Sequence, residues 1–123
     1  MFRLVLPALL FAVLPLSAQA GLPACFTGGT WQMNFGGEYE GRISFAPPLC
    51  RARLELNSSR NETLQTCRIT EGEGELWLTC ELVETTNWNW RPDSFHLKVA
   101  GDRMWGSNDD GMFRFDNVQM VRD

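Results

Sequence analysis

The sequence predicts an all-β protein whose eight antiparallel strands close into a single up-and-down barrel. Three observations lead to this prediction. Apolar and polar residues alternate along most of the chain, which is the pattern of strands with one buried face. Short turn signals rich in Gly, Pro, Asn and Asp separate these runs. The four cysteines suit a small domain held by disulfides.

The alternation is clearest in residues 50–57, 75–82 and 95–99, where every second side chain is apolar. The expected strands cover residues 30–35, 39–46, 50–57, 63–71, 75–84, 93–100, 103–107 and 112–121. Because the connections between them are short, consecutive strands should pair as a meander, and closure into a barrel removes the exposed edges. A two-sheet β-sandwich is the alternative.

The first 20 residues have the layout of a secretory signal peptide. Arg3 precedes an apolar stretch of 13 residues, Leu4 to Leu16, and Ala18-Gln19-Ala20 supplies the small residues of a cleavage site. A membrane-spanning helix needs roughly 20 apolar residues, so this stretch is too short. Cleavage leaves residues 21–123 as one disulfide-stapled domain, secreted or periplasmic, with no membrane span. Lipid attachment at Cys25 is the alternative, because Leu22-Pro23-Ala24-Cys25 partly matches a lipoprotein cleavage box.

The four cysteines are separated by 25, 17 and 13 residues, unlike the short Cys-x-x-Cys pairs of a metal site. Two disulfides are therefore expected. A two-residue turn at Glu73-Gly74 would place Cys67 opposite Cys80, which favours a disulfide between them and leaves Cys25 to bond with Cys50. Pairing of Cys50 with Cys67, and of Cys25 with Cys80, stays open because the third and fourth strands also form a hairpin.

The charge of the chain argues against two classes of partner. The formal net charge is −4, and removal of Arg3 with the signal peptide makes it about −5. An acidic domain without a Lys/Arg cluster is a poor candidate for binding nucleic acid or anionic lipid.

The sequence lacks a catalytic motif such as Gly-x-Ser-x-Gly, and its single histidine, His96, falls at an outward strand position. Asn108-Asp-Asp-Gly111 has the residues of a tight turn and lacks the alternate-position oxygens of a calcium loop. The sequence therefore predicts a non-catalytic protein that needs neither a metal nor another cofactor.

Tryptophans provide the predicted binding surface, because exposed tryptophans concentrate binding energy at interfaces. Trp77 and Trp105 are out of phase with their inward neighbours, so both should face outward. Trp88 and Trp90 are expected to share one face of an extended segment that ends at Arg91-Pro92. One of them should close the barrel, and the other should contact a partner. The predicted surface comprises Trp77, Trp88, Trp90 and Trp105.

Gly29-Thr30-Trp31 at the start of the first strand and Arg122 near the end of the last resemble the calycins. This superfamily comprises lipocalins, avidins and small bacterial metalloprotease inhibitors. The resemblance implies that Trp31 closes one end of the barrel and that Arg122 packs over its indole as a cation on a π face. The inhibitors bind through a free N-terminal tail, but only Gly21–Ala24 would precede Cys25 here, so that binding mode is not expected.

Two functions follow as hypotheses. The first is an exported non-catalytic protein that binds a protein partner, for example as a periplasmic inhibitor of a hydrolase. The second is a carrier of a small apolar ligand inside a lipocalin-like barrel. A filled interior would exclude the carrier, and several aromatic rings are expected to fill it: Phe35, Phe45, Phe95, Phe113 and Phe115.

Overall fold

Eight antiparallel strands close into a barrel in the computed structural model, which describes residues 25–123. The strands are β1 (Gly29–Phe35), β2 (Tyr39–Phe45), β3 (Arg51–Asn57), β4 (Glu62–Gly72), β5 (Glu75–Thr85), β6 (Ser94–Ala100), β7 (Arg103–Asp109) and β8 (Arg114–Arg122). Each strand pairs with the next, and β8 pairs with β1. The predicted up-and-down barrel is confirmed, and the β1–β8 pairing rules out the open-edged sandwich. The predicted signal peptide lies outside the described residues.

Two hairpins have the registers that the alternation predicts. In the β4–β5 hairpin, Gly72 pairs with Glu75 and Cys67 pairs with Cys80. The β6–β7 hairpin likewise turns through Gly101-Asp102, because Ala100 pairs with Arg103. Gly74 and Gly101 have φ angles of 71° and 61°, a left-handed conformation that favours glycine in two-residue turns.

Apolar side chains from all eight strands fill the middle of the barrel. Those at most 1% exposed are Trp31, Ile43, Leu54, Leu56, Leu76, Leu78, Leu97, Met104, Val118 and Met120, together with Cys67. Complete burial of one such side chain contributes about 1.5–3 kcal/mol of hydrophobic free energy, so this packed middle is the main source of stability.

The expected aromatic filling is correct for three rings and wrong for one. Phe35, Phe45 and Phe95 are buried, and Phe115 is half-buried against the core. Phe113 instead remains 64% exposed. Asp110 Oδ1 accepts a hydrogen bond from the backbone N–H of Phe113 at 2.7 Å, which keeps this residue in the turn. Strand β8 therefore begins at Arg114, two residues later than the sequence predicts.

The disulfides are Cys25–Cys50 and Cys67–Cys80, the pairing that the sequence favours. Cys67–Cys80 joins facing residues of β4 and β5, and closing a loop of about 14 residues stabilises a fold by roughly 3 kcal/mol. Cys25–Cys50 ties the segment before β1 to the start of β3. Two disulfides indicate an oxidising environment. No helix within residues 25–123 is long and apolar enough to cross a membrane.

The two ends of the barrel differ. At the end where β1 begins and β8 finishes, here called the closed end, Arg122 lies over the indole of Trp31, with 4.5 Å between the guanidinium carbon and the ring centroid. Both side chains donate to the carbonyl oxygen of Gly28 at 3.0 Å. At the opposite end, here called the mouth, lie the connections 36–38, 58–61, 86–93 and 110–113.

Candidate functional site at the barrel mouth

The structure divides the four tryptophans of the predicted surface between two places. Trp77 on β5 and Trp105 on β7 lie on the outer wall, on either side of β6. Trp88 and Trp90 lie in the β5–β6 connection at the mouth. The four side chains therefore do not form one surface, and the mouth and the wall have to be considered separately.

The segment containing Trp88 and Trp90 is a turn, so the prediction of an extended segment is wrong. The backbone N–H of Trp90 donates to the carbonyl oxygen of Asn87 at 2.9 Å. The Asn87 side chain accepts from the N–H of Asn89, also at 2.9 Å, which is the local bonding that asparagine provides in turns. Trp88 at the tip is 86% exposed, whereas Trp90 is half-buried and packs against the core.

Below this turn the mouth opens into a cup of about 540 Å³. Five aromatic residues line it: Phe113 near its edge and, deeper, Phe35, Tyr39, Trp90 and Phe115, which form its wall. Phe35 stacks on Tyr39 with ring centroids 5.0 Å apart. Trp90 meets Tyr39 edge-on at 5.9 Å, and Phe115 lies 5.6 Å from Tyr39. These rings pack against one another and form an aromatic wall.

The floor of the cup is polar. Asp93 is 5% exposed and reaches the cup together with Asn108. Its Oδ2 atom accepts hydrogen bonds from Gln65 Nε2 at 2.7 Å and Trp90 Nε1 at 3.1 Å. Its Oδ1 atom accepts one from Asn108 Nδ2 at 2.9 Å. A buried carboxylate needs such donors, because burial removes the water that would solvate it.

Gln65 anchors this network inside the barrel. Its Oε1 atom accepts a hydrogen bond from the backbone N–H of Asp93 at 3.1 Å, and its own side chain is 0% exposed. Thr63, next to it on the inner face of β4, donates to the carbonyl oxygen of Leu56 at 2.8 Å. Asp93, Gln65 and Asn108 are absent from the predicted surface. The sequence did contain one signal for this network: Gln65 is a polar residue at an inward position of its strand, between Thr63 and Cys67.

Exposed apolar side chains lie on two of the four connections at the mouth. Trp88 lies on the β5–β6 connection, and Met112 and Phe113, 66% and 64% exposed, lie on the β7–β8 connection. Arg91 Nε donates to the carbonyl oxygen of Asp110 at 3.1 Å and so links the two connections. We call Trp88, Met112 and Phe113 the apolar rim.

Negative charge dominates the surroundings of Tyr39. Burial raises the pKa of the Tyr39 hydroxyl, and the carboxylates of Glu38, Asp110 and Asp93 raise it further. Each of these groups lines the cup, as do the guanidinium groups of Arg60 and Arg91. The aromatic wall thus lies in a field that disfavours a further negative charge.

The outer wall carries the other two tryptophans of the predicted surface, Trp77 and Trp105, and both are partly covered. Trp77 stacks on His96 with ring centroids 4.9 Å apart, and His96 Nε2 lies 3.0 Å from Glu75 Oε1. Trp77 is 39% exposed and Trp105 is 42% exposed, so each is partly covered by its own neighbours. The mouth offers a concave site with both apolar and polar contacts, which is the usual form of a ligand site.

No family model matches this chain, and neither a curated protein nor a solved structure shows significant similarity to it.

Proposed function

We propose that this chain is an exported, non-catalytic binding protein that recognises a protein partner through the barrel mouth, such as a hydrolase that it inhibits. The main support is the apolar rim: Met112 and Phe113 line the aromatic cup, and Trp88 is exposed on the connection that Arg91 links to theirs. Exposed aromatic side chains around a pocket have the composition of an interface hot spot.

The packed middle of the barrel favours a protein partner over the second hypothesis. Leu54, Leu97 and Trp31 are 0% exposed, and their neighbours fill the space that an apolar ligand inside a lipocalin-like barrel would need. The cup at the mouth is lined in part by Asp93 and Asn108, so its floor is polar and differs from the apolar interior that a lipocalin-like carrier needs.

Assignment to the calycins is part of this proposal. It is supported by the contact of Arg122 with Trp31 at the closed end and by the eight-stranded meander. Export is likewise proposed from the signal-peptide pattern of residues 1–20, and the two disulfides support it. Because Cys25 lies at the closed end, recognition at the mouth would not use an N-terminal tail.

A capture experiment tests where the partner binds. The purified exported protein is attached to a resin and exposed to an envelope extract, beside the variants Trp88→Ala/Phe113→Ala at the mouth and Trp105→Ala on the wall. Phe26→Ala is the matched control, because Phe26 is 82% exposed and lies next to Cys25 at the other end. We expect one protein to be retained by all but the mouth variant.

The retained protein is then purified, and its affinity and its hydrolytic activity are measured with each variant. Loss of a hot-spot tryptophan should weaken binding by about 30-fold, corresponding to roughly 2 kcal/mol. Equal affinity of the mouth variant and the original protein would refute recognition at the mouth. Weaker binding by Trp105→Ala alone would place the interface on the wall instead.

A further inference from the structure

The Asp93 carboxylate has hydrogen-bond donors but no cationic partner among residues 25–123. Its three side-chain donors, Gln65, Trp90 and Asn108, are all neutral, and no described Lys or Arg nitrogen lies within 4.0 Å of its oxygens. Oδ1 accepts a single side-chain hydrogen bond, although a carboxylate oxygen can accept two. The negative charge at the floor of the cup is thus solvated by dipoles and left without a counter-ion.

The wall above this carboxylate is aromatic. Tyr39, Trp90 and Phe115 all line the cup. The ring centroid of Tyr39 lies 5.9 Å from that of Trp90 and 5.6 Å from that of Phe115. The face of an aromatic ring carries a negative quadrupole that attracts ammonium and guanidinium groups. A buried carboxylate in a cup that several such rings also line is complementary to a cation that also has apolar surface.

The charged residues at the mouth favour the same occupant. Glu38, Asp93 and Asp110 line the cup and raise the pKa of the Tyr39 hydroxyl, after the larger effect of its burial. Two guanidinium groups, those of Arg60 and Arg91, also line the cup. The three carboxylates outnumber them, and the buried carboxylate of Asp93 has no cationic partner within 4.0 Å among the described residues, so the cup favours a cation over an anion.

We propose that the cup binds an organic cation, an ammonium or guanidinium group with attached methyl or methylene groups, between the aromatic wall and the Asp93 carboxylate. This proposal rests on the proposed function in one respect: the organic cation would be the group that the protein partner inserts at the mouth. Such a group can come from a Lys or Arg side chain of the partner or from a free amine. The two sources share one chemistry.

Direct binding of two isosteric probes tests the charge requirement. Choline and 3,3-dimethylbutan-1-ol have the same shape, but only choline carries a positive charge. Each is titrated into the ¹⁵N-labelled protein, and the indole N–H resonance of Trp90 is followed, because this group donates to Asp93. We expect choline to shift this resonance and to bind at least about tenfold more tightly than the neutral alcohol. Equal binding of the two probes, or no shift at millimolar choline, would overturn the proposal.

Two substitutions locate the choline site. Tyr39→Leu removes an aromatic face and should weaken choline binding severalfold, whereas Phe26→Ala at the opposite end should leave it unchanged. Asp93→Asn tests the carboxylate, and its fold is checked by the dispersion of the amide spectrum. Should Asp93→Asn fail to fold, Tyr39→Leu and the probe pair still decide the question. Choline binding that Tyr39→Leu does not alter would refute the cup as the site.

Competition then distinguishes the two sources. If the cation belongs to the partner protein, butylammonium should release the captured partner while butanol should not. If it is a free amine, the captured partner stays bound while choline still occupies the cup.

Failure of choline to bind, combined with loss of capture in Trp88→Ala/Phe113→Ala, would reject the cation site and leave recognition at the mouth intact. Capture that is insensitive to the mouth variant would reject the proposed function while choline binding could still succeed.

Discussion

Gln65 and Asp93 exchange two hydrogen bonds inside the barrel. Gln65 Nε2 donates to Asp93 Oδ2 at 2.7 Å, and Gln65 Oε1 accepts from the backbone N–H of Asp93 at 3.1 Å. A single amide thus donates to the carboxylate and accepts from the backbone of the same buried residue. It also fixes the start of β6 against β4, two strands that are not neighbours in the sheet.

Replacing Gln65 with Leu should destabilise the fold strongly, because a buried carboxylate and a buried N–H both lose a partner. We expect a loss of about 3 kcal/mol in the free energy of unfolding, measured by urea denaturation. Gln119→Leu is the matched control, since Gln119 is exposed on β8, and should change stability by less than about 0.5 kcal/mol. Similar midpoints for both variants would contradict the importance of the network.

Replacing Arg122 with Ala should cost about 1–2 kcal/mol of stability. This change removes the cation over Trp31 and the hydrogen bond to the carbonyl oxygen of Gly28. Asp102→Ala removes only the exposed ion pair with Arg122 and should cost less than about 1 kcal/mol. An unchanged melting temperature of Arg122→Ala would show that the closed end does not depend on this contact.

Trp88 and Trp90 should respond differently to substitution. Trp88→Ala should change stability by less than about 0.5 kcal/mol, because its side chain is 86% exposed. Trp90→Phe keeps a ring but removes a donor to Asp93, so it should cost about 1–3 kcal/mol. Iodide should quench less tryptophan fluorescence in Trp88→Phe than in Trp90→Phe. The reverse order would mean that the turn places Trp90 at the surface.

Tyr39 is the single tyrosine, so its ionisation can be followed by ultraviolet absorbance. Burial and the nearby carboxylates raise its pKa, so the midpoint should lie above 10.0. Because the folded-state pKa exceeds the unfolded value, the associated stability is present below pH 10.0 and is lost as pH rises through the folded-state pKa. Glu38→Gln should lower the midpoint while burial keeps it above 10.0. A midpoint at or below 10.0 in the original protein would contradict the buried environment.

Glu71 should make stability depend on pH in the acid range. Burial alone would raise the pKa of its carboxyl, but hydrogen bonds from the backbone N–H groups of Thr27 and Phe26 lower it below 4.5. The associated stability is therefore present above pH 4.5 and is lost as pH falls through the lower folded-state pKa. Glu71→Gln should reduce this loss, measured by urea denaturation across the acid range. Glu73→Gln makes the same change of charge in the adjacent turn and should leave the loss in place.

The parts of the fold that could be predicted are those that depend on the alternation of inward and outward side chains along a strand. Once Glu73-Gly74 is a two-residue turn, the pairing of Cys67 with Cys80 follows, because register and facing direction are then fixed. The same reasoning places Val99 opposite Met104. Barrel closure was favoured because it removes the exposed strand edges most simply.

The mouth could not be predicted in this way. The Asn87 and Asp110 side chains accept hydrogen bonds from nearby backbone N–H groups, and these bonds decide how the connections turn. Alternation of apolar and polar residues carries no information about them. The polar network joins Asp93 to residues 28 and 15 positions away. The β6–β7 hairpin brings Asn108 close, but Gln65 lies on β4, which is not a neighbour of β6 in the sheet. The sequence therefore predicted exposed tryptophans, but it did not predict the carboxylate beneath them.

The positions of the two described chain ends determine how the protein can be presented to a partner. Cys25 is bonded to Cys50 at the closed end, and the backbone N–H of Asp123 donates to the carbonyl oxygen of Thr30 at the same end. Any polypeptide or lipid joined before residue 25 or after residue 123 would therefore attach at the pole opposite the mouth. A tether attached at either end would therefore leave the mouth facing away from the surface to which the protein is attached.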